Sequence, residues 1–168
     1  APAIKIANTR SYGATVVTYD RWRDDREAIA GALACDSGAA LVPPYDHPWT
    51  IAGQGTAGLE IADQCAALGV APDAVLVCCG GGGLTAGIGM AIAARAPGTA
   101  VHPVEPASFD DTARSLAAGE RIANDPAARS ICDALLAPIP GELTFALNRQ
   151  YAARGLAVTD DAVRAAMR

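Results

Sequence analysis

The segment best suited to chemistry is Cys79-Gly80-Gly81-Gly82-Gly83-Leu84-Thr85-Ala86-Gly87. Four successive glycines let the backbone adopt positive φ and turn its amides toward one point with no Cβ in the way. An apolar run, Ala74–Cys79, precedes them, and a helix-like run, Leu84–Arg95, follows. The N-terminus of such a helix contributes about half a positive charge. The carboxyl end of a strand is also where open α/β sheets bind their ligands. Together these features predict a phosphate site. A Walker A loop is excluded, since no Lys-Ser/Thr follows the glycines. The dinucleotide fingerprint does fit, as Gly81-x-Gly83-x-x-Ala86 with Glu105 ending the next strand, so spacing alone leaves a nicotinamide dinucleotide open. The bland alternative is a tight strand-to-helix turn that holds nothing.

Other reactive side chains are few. Lys5 is the only lysine and reads as a solvated surface residue. His47, inside Tyr45-Asp46-His47-Pro48, reads as bracing a turn in preference to shuttling protons. His102 reads as a satisfied strand residue. The five cysteines (Cys35, Cys65, Cys78, Cys79 and Cys132) show no CxxC spacing. They are expected as buried, reduced thiols of a cytoplasmic protein, with Cys78 and Cys79 pointing to opposite sides of their strand.

The elements that must position the loop alternate. Short strands are expected at Thr15–Tyr19, Ala39–Val42, Ala74–Cys79, Ala100–Glu105 and Leu156–Val158, and helices at Asp25–Ala34, Ile51–Leu68, Leu84–Arg95 and Asp110–Ala118. Ala74–Cys79 is apolar throughout, the pattern of a central strand covered on both faces. With the next helix and strand it forms a βαβ unit, for which a right-handed crossover is expected. Residues 119–158 read as irregular and Pro-rich apart from the last short strand. A final helix starts at the N-cap Thr159 with Asp160 and Asp161 in its first turn, and the chain stops inside it at Arg168. With no initial Met either, the expectation is a fragment. The class is α/β.

Composition sets the outer limits. The chain has 168 residues, 51% of them apolar, enough for a real core. A formal net charge of −5 and the lack of a basic stripe argue against nucleic acid as a partner. No signal peptide or membrane span is expected; the most apolar stretch, around Val75–Ala94, is broken by the four glycines.

Several segments, in order, resemble the fold-type II pyridoxal-phosphate enzymes, specifically the serine/threonine dehydratase and serine racemase group. Ala1-Pro2-x-x-Lys5 with Tyr12-Gly13-Ala14-x-Val16-Val17 is similar to the stretch closing that family's small domain. Pro44-Tyr45-Asp46-His47-Pro48, Ile51-Ala52-Gly53-Gln54-Gly55-Thr56 and Glu60 resemble the return into the large domain. Gly80–Gly83 with Leu84 resemble the loop around the cofactor phosphate. Glu105-Pro106, Gly141-Glu142-Leu143-Thr144-Phe145 and Val158-Thr159-Asp160-Asp161 complete the series. The resemblance covers nearly the whole chain and favours pyridoxal phosphate over NAD.

It implies a three-layer open sheet of the tryptophan-synthase-β-like kind, incomplete here, with residues 1–46 ending the small domain and 47–168 forming part of the large one. It also implies phosphate binding by the amides of Gly80, Gly81, Gly82, Gly83 and Leu84, and a Mg²⁺ or Ca²⁺ site at Glu105, the Phe109 carbonyl and Asp111; the bland reading is that Asp110 and Asp111 simply suit a helix N-terminus. Cys132-Asp133-Ala134 departs from the family's frequent Ala-Asp-Gly, which leaves cofactor contacts at that point open.

The implied reaction is that of an ammonia-lyase. A Schiff-base lysine removes the α-proton of threonine, serine or 3-hydroxyaspartate, the cofactor stabilises the carbanion, and loss of the β-hydroxyl leads to a 2-oxo acid and ammonia. That lysine's Ser-x-Lys-x-Arg context is absent, so no catalytic residue is assigned in these 168 residues and the segment alone is expected to be inactive. The expected partners are the missing remainder of the enzyme and a second copy, as a homodimer. The alternatives are a racemase of the same family, a Rossmann-type NAD-dependent oxidoreductase, and a non-catalytic phosphate-binding remnant.

Overall fold

The computed structural model describes residues 2–21 and 23–168; Ala1, the first residue of the Ala-Pro-x-x-Lys segment, lies outside them. The chain divides into two compact units, residues 1–42 and 43–168. In the first, α1 (Ala3–Ser11) and α2 (Arg26–Ser37) are the only regular elements among the described residues. Helix α2 is capped at both ends, by the Asp25 carboxylate, which accepts from the amides of Glu27 and Ala28, and by Gly38 in the left-handed conformation at φ 68°. The strands expected at Thr15–Tyr19 and Ala39–Val42 do not form. A strand needs a neighbour for its ladder bonds, and a β-branched run supplies only the propensity.

The second unit holds α3 (Pro48–Ala67), β1 (Ala74–Cys78), α4 (Gly83–Arg95), β2 (Ala100–Pro106), α5 (Asp111–Ala118), α6 (Glu142–Tyr151), β3 (Leu156–Val158) and α7 (Asp160–Ala166). The three strands form a parallel sheet in the order β1-β2-β3, with Ala74 opposite Ala100 and Val104 opposite Leu156. Ala62 of α3, Val77 of β1, Ile88 and Ile92 of α4 and Val101 of β2 make the core that seats α3 and α4 on the sheet. Strand β1 lies at one edge of the sheet and is not covered on both faces as its composition suggested. Val77 is buried, whereas Ala74, Leu76 and Cys78 are exposed because no element of these residues packs over them.

Helix α3 crosses α4 unusually closely. A Cβ added to Gly87 would lie 2.5 Å from the Ile51 carbonyl oxygen and 2.5 Å from the Gly55 amide nitrogen. Gly55 in turn faces the Gly87 carbonyl at 3.2 Å. The second glycine of the Ala-Gly-Gln-Gly-Thr segment is therefore a packing residue: it lets two backbones touch and sets where α4 starts relative to the sheet.

Residues 142–151, expected to be irregular, form α6. Its N-cap is Gly141, which has no capping side chain, and Pro138 and Pro140 precede it, so the local start signal is weak. The cap comes from elsewhere in the chain.

Candidate active site

Strand β1 ends at Cys78, and Cys79 is still tied to β2 by its amide, which donates to the Val104 carbonyl at 2.9 Å. The glycines follow at once and α4 begins at Gly83. Gly82, the N-cap of α4, has φ 91°, a left-handed conformation that demands glycine. Among the described residues, none of the amides of Gly80, Gly81, Gly82, Gly83, Leu84 and Thr85 donates within the protein. The first internal bond of α4 is that of Ala86 to the Gly82 carbonyl. Six consecutive unpaired donors at a helix N-terminus form an anion cradle. The phosphate of pyridoxal phosphate fits these donors, and Gly80 and Gly81 keep the loop partly open to solvent.

Helix α6 sets the loop's orientation. The Thr144 hydroxyl donates to the Gly81 carbonyl at 2.7 Å, and Asn148 Nδ2 donates to the Gly82 carbonyl at 3.2 Å. Both side chains are fully buried. Because the carbonyl and amide of a trans peptide point in opposite directions, fixing these two carbonyls toward α6 turns the amides of Gly82 and Gly83 away from it. On another side, the Tyr45 ring occupies the place a Cβ on Gly81 would need, and Tyr45 Cβ would lie 2.9 Å from one on Gly83. At the start of the loop, Gly80 faces the 132–135 segment: its Cβ would meet Leu135 Cα at 3.3 Å and the Ala134 carbonyl at 3.4 Å. The Cys132-Asp133-Ala134 departure thus lies directly beside the loop.

The loop was legible from sequence. Tyr45, Asp46 and Thr144 stand in the sequence only inside segments that resemble the family, and Asn148 carries no sequence signal. His47 caps α3, its Nδ1 accepting from the Trp49 amide at 3.3 Å, and His102 Nδ1 bonds the Arg154 carbonyl at 2.9 Å. Lys5 is exposed on α1. Of the five cysteines only Cys79 is buried; Cys35 and Cys78 are exposed, and Cys65 and Cys132 partly so. Local sequence shows that a thiol is apolar enough to bury, but only packing decides which thiols are. Burial, with the charge of Glu105 adding, pushes the Cys79 thiol up to about 12, so it stays protonated and unreactive.

Glu105, Phe109 and Asp111 come together at the end of β2 and the start of α5, all three buried. The Glu105 carboxylate accepts from the amides of Thr112 at 3.0 Å and Ala113 at 2.8 Å, completing the first turn of α5. Asp111 Oδ1 accepts from Asn124 Nδ2 at 2.6 Å, while Asp111 Oδ2 has no partner. Among the described residues no three His, Cys, Asp or Glu side chains converge. The donor set is therefore two carboxylates, one with a free oxygen.

Burial raises the Glu105 carboxyl from 4.5 to about 7 and that of Asp111 from 3.8 to about 6. Folded values above unfolded ones mean that the native state holds extra protons between them. The stability these groups contribute is full below about pH 4 and is lost as pH climbs through 6 and 7. Unfolding in urea with a chelator present should show stability falling from pH 5 to pH 8, by on the order of 3 kcal/mol for Glu105 alone. A stability that climbs over that interval contradicts this.

A parallel α/β sheet with unpaired amides at the carboxyl end of a strand is an arrangement suited to a phosphorylated ligand. Residues 1–168 match the family described as Pyridoxal-phosphate dependent enzyme, and the chain belongs to that family. It is 40% identical to the L-threo-3-hydroxyaspartate ammonia-lyase of Saccharomyces cerevisiae over 95% of this chain and 48% of that protein. With the serine racemase of Schizosaccharomyces pombe it shares 37% identity over 96% of this chain and 48% of the other. Among solved structures, a threonine deaminase from T.th. superposes with a TM-score of 0.89 at 42% identity, covering 96% of this chain and 52% of that one. Maize serine racemase also gives 0.89, at 33% identity, over 98% of this chain and 50% of its own.

The fold is thus the fold-type II arrangement, and the chain spans about half the length of the curated relatives it matches. The nicotinamide reading is set aside. Besides the family match, Glu105, the acid that fingerprint needs for a ribose, is 1% exposed and committed to the α5 amides.

Proposed function

We propose that this chain is the phosphate-binding part of a pyridoxal-phosphate-dependent ammonia-lyase that converts a hydroxy amino acid to a 2-oxo acid and ammonia. The observation that carries the proposal is the run of unpaired amides from Gly80 to Thr85 at the end of β1. When bound, the cofactor supplies the electron sink for charge developing at the substrate Cα. The amides of Gly80, Gly81, Gly82, Gly83 and Leu84 hold the phosphate, the Thr85 amide extends the cradle, and Thr144 and Asn148 keep the loop carbonyls turned away. Tyr45 packs against one side of the loop, at Gly81 and Gly83. Proton transfer at Cα belongs to a lysine outside these residues, since Lys5 is an exposed residue of the first unit.

Residues 1–46 close the small domain and 47–168 belong to the large one, a reading supported by the separation of a small N-terminal compact unit from a larger one. The complete enzyme acts as a cytoplasmic homodimer. A Mg²⁺ or Ca²⁺ ion at Glu105, the Phe109 carbonyl and Asp111 belongs to the same proposal, supported by the unpartnered Asp111 Oδ2.

The hydroxy-amino-acid lyase reading follows from the 40% identity to hydroxyaspartate ammonia-lyases of yeast and of Pseudomonas sp. Serine racemases at 37% and 34% keep racemisation as the second reading. The full-length protein, given 3-hydroxyaspartate, threonine and serine in turn, is expected to release ammonia and a 2-oxo acid in equal amounts from at least one. Residues 1–168 alone should release none. Inversion at Cα without ammonia would instead establish the racemase, and turnover by the 168-residue chain alone would overturn the assignment of the lysine.

A further inference from the structure

Helix α6 has an unusual start. Its N-cap, Gly141, offers no side chain to the first amides. Asp46, 96 residues earlier in the chain than Glu142, supplies what is missing: Oδ2 accepts from the Glu142 amide at 2.9 Å and Oδ1 from the Thr144 amide at 3.0 Å. A carboxylate at this end also complements the helix dipole. Gly141 is tied to the arrangement, since a Cβ there would collide with the Asp46 carboxylate. Asp46 forms no ion pair with an arginine or lysine among the described residues, so both of its oxygens serve α6. Thr144 links this cap to the site, because its backbone is held by Asp46 and its hydroxyl holds the Gly81 carbonyl.

We propose that Asp46 is a positioning residue for the phosphate cradle, acting through Thr144 on the Gly81 peptide. This rests on the cofactor reading above and adds a residue to it. Two oxygens are needed because two amides are served. Asparagine at this position keeps one acceptor and turns an N–H toward the other amide, so Asp46→Asn is expected to behave as a partial loss, and Asp46→Ala as a full one.

The test uses the full-length protein and compares its affinity for pyridoxal 5′-phosphate with that for pyridoxal, which has the same aldehyde and no phosphate. Asp46→Ala should weaken binding of the phosphorylated form on the order of tenfold or more, while pyridoxal binding changes less than about twofold. Thr144→Val should do the same, Thr144→Ser should restore binding, and the double variant Asp46→Ala/Thr144→Val should lose no more than the worse single one. Parallel losses for both ligands would show a purely structural cap and overturn the proposal. So would additive losses in the double variant, or no change in Asp46→Ala. If the unmodified protein does not prefer the phosphorylated ligand at all, it is the cofactor reading that fails. The two failures are therefore distinguishable.

Discussion

Gly87→Ala should be among the most damaging single methyls in this chain. The added carbon would sit 2.5 Å from two backbone atoms of α3, Ile51 O and Gly55 N, and 2.9 Å from Gln54 C. No flexible side-chain end is available to yield, so the helices must part, and the core of Ala62, Val77, Ile88, Ile92 and Val101 loses contact with them. Overpacking typically costs about 1–3 kcal/mol, and a clash with backbone on both sides falls at the upper end of that range. For a body of this size the thermal midpoint should drop by roughly 10 °C. Thermal unfolding followed by far-UV circular dichroism reads it directly. A Gly53→Ala control, in the same pair of helices but with nothing within 4 Å, should keep the midpoint or raise it by a few degrees through helix propensity. A Gly87→Ala midpoint equal to the control's would show that the helices can separate freely, contrary to the packing described.

The second large effect is expected from Gly82→Ala, and it falls on the ligand. Gly82 combines φ 91° with a Cβ position 2.8 Å from Asn148 Nδ2 and 3.2 Å from Thr144 Cβ and Oγ1. An alanine there carries the left-handed penalty of about 1–2 kcal/mol. It also pushes on the two side chains that fix the loop carbonyls. Asn148 could swing aside only by giving up its bond to Gly82, which releases the peptide that carries the unpaired Gly83 amide. Retention of pyridoxal phosphate by the full-length protein, measured by absorbance after gel filtration, should fall on the order of 100-fold in affinity, equivalent to about 3 kcal/mol. Gly98→Ala is the matched control: φ is 103° and its surroundings are empty, so it carries the conformational strain without touching the loop. Equal cofactor retention in both variants would mean that the bend tolerates a side chain and does not act as the cradle.

Both experiments depend on what the glycines face. In each case the sequence marks the position and the tertiary structure supplies the consequence. The four glycines between an apolar strand and a helix point to an anion site by local chemistry alone, since amides freed by glycine at a helix N-terminus need no distant partner. Elements with strong local signals were legible in the same way. α4, β2 and α5 start and stop within a residue or so of the expected boundaries, and the cap Thr159 opens α7 with its side chain accepting from the Ala162 amide.

What failed locally depended on partners far along the chain. Thr15–Tyr19 and Ala39–Val42 have β-favouring runs but no neighbouring strand here, because pairing is not a property of one segment. Helix α6 was unreadable because its cap comes from Asp46, and that contact exists only once the chain has folded. Cys78 and Cys79 show the same division within two residues: composition marks both as apolar, and only the sheet decides that Cys79 is buried while Cys78 is exposed. The sequence by itself therefore determined the family, the glycine bend and most of the helices, since these follow from contiguous residues. The tertiary structure alone decided which side chains hold that bend in shape, because Tyr45, Asp46, Thr144 and Asn148 meet Gly80–Gly83 only through the packing of α6 and the segment before α3 onto the end of β1.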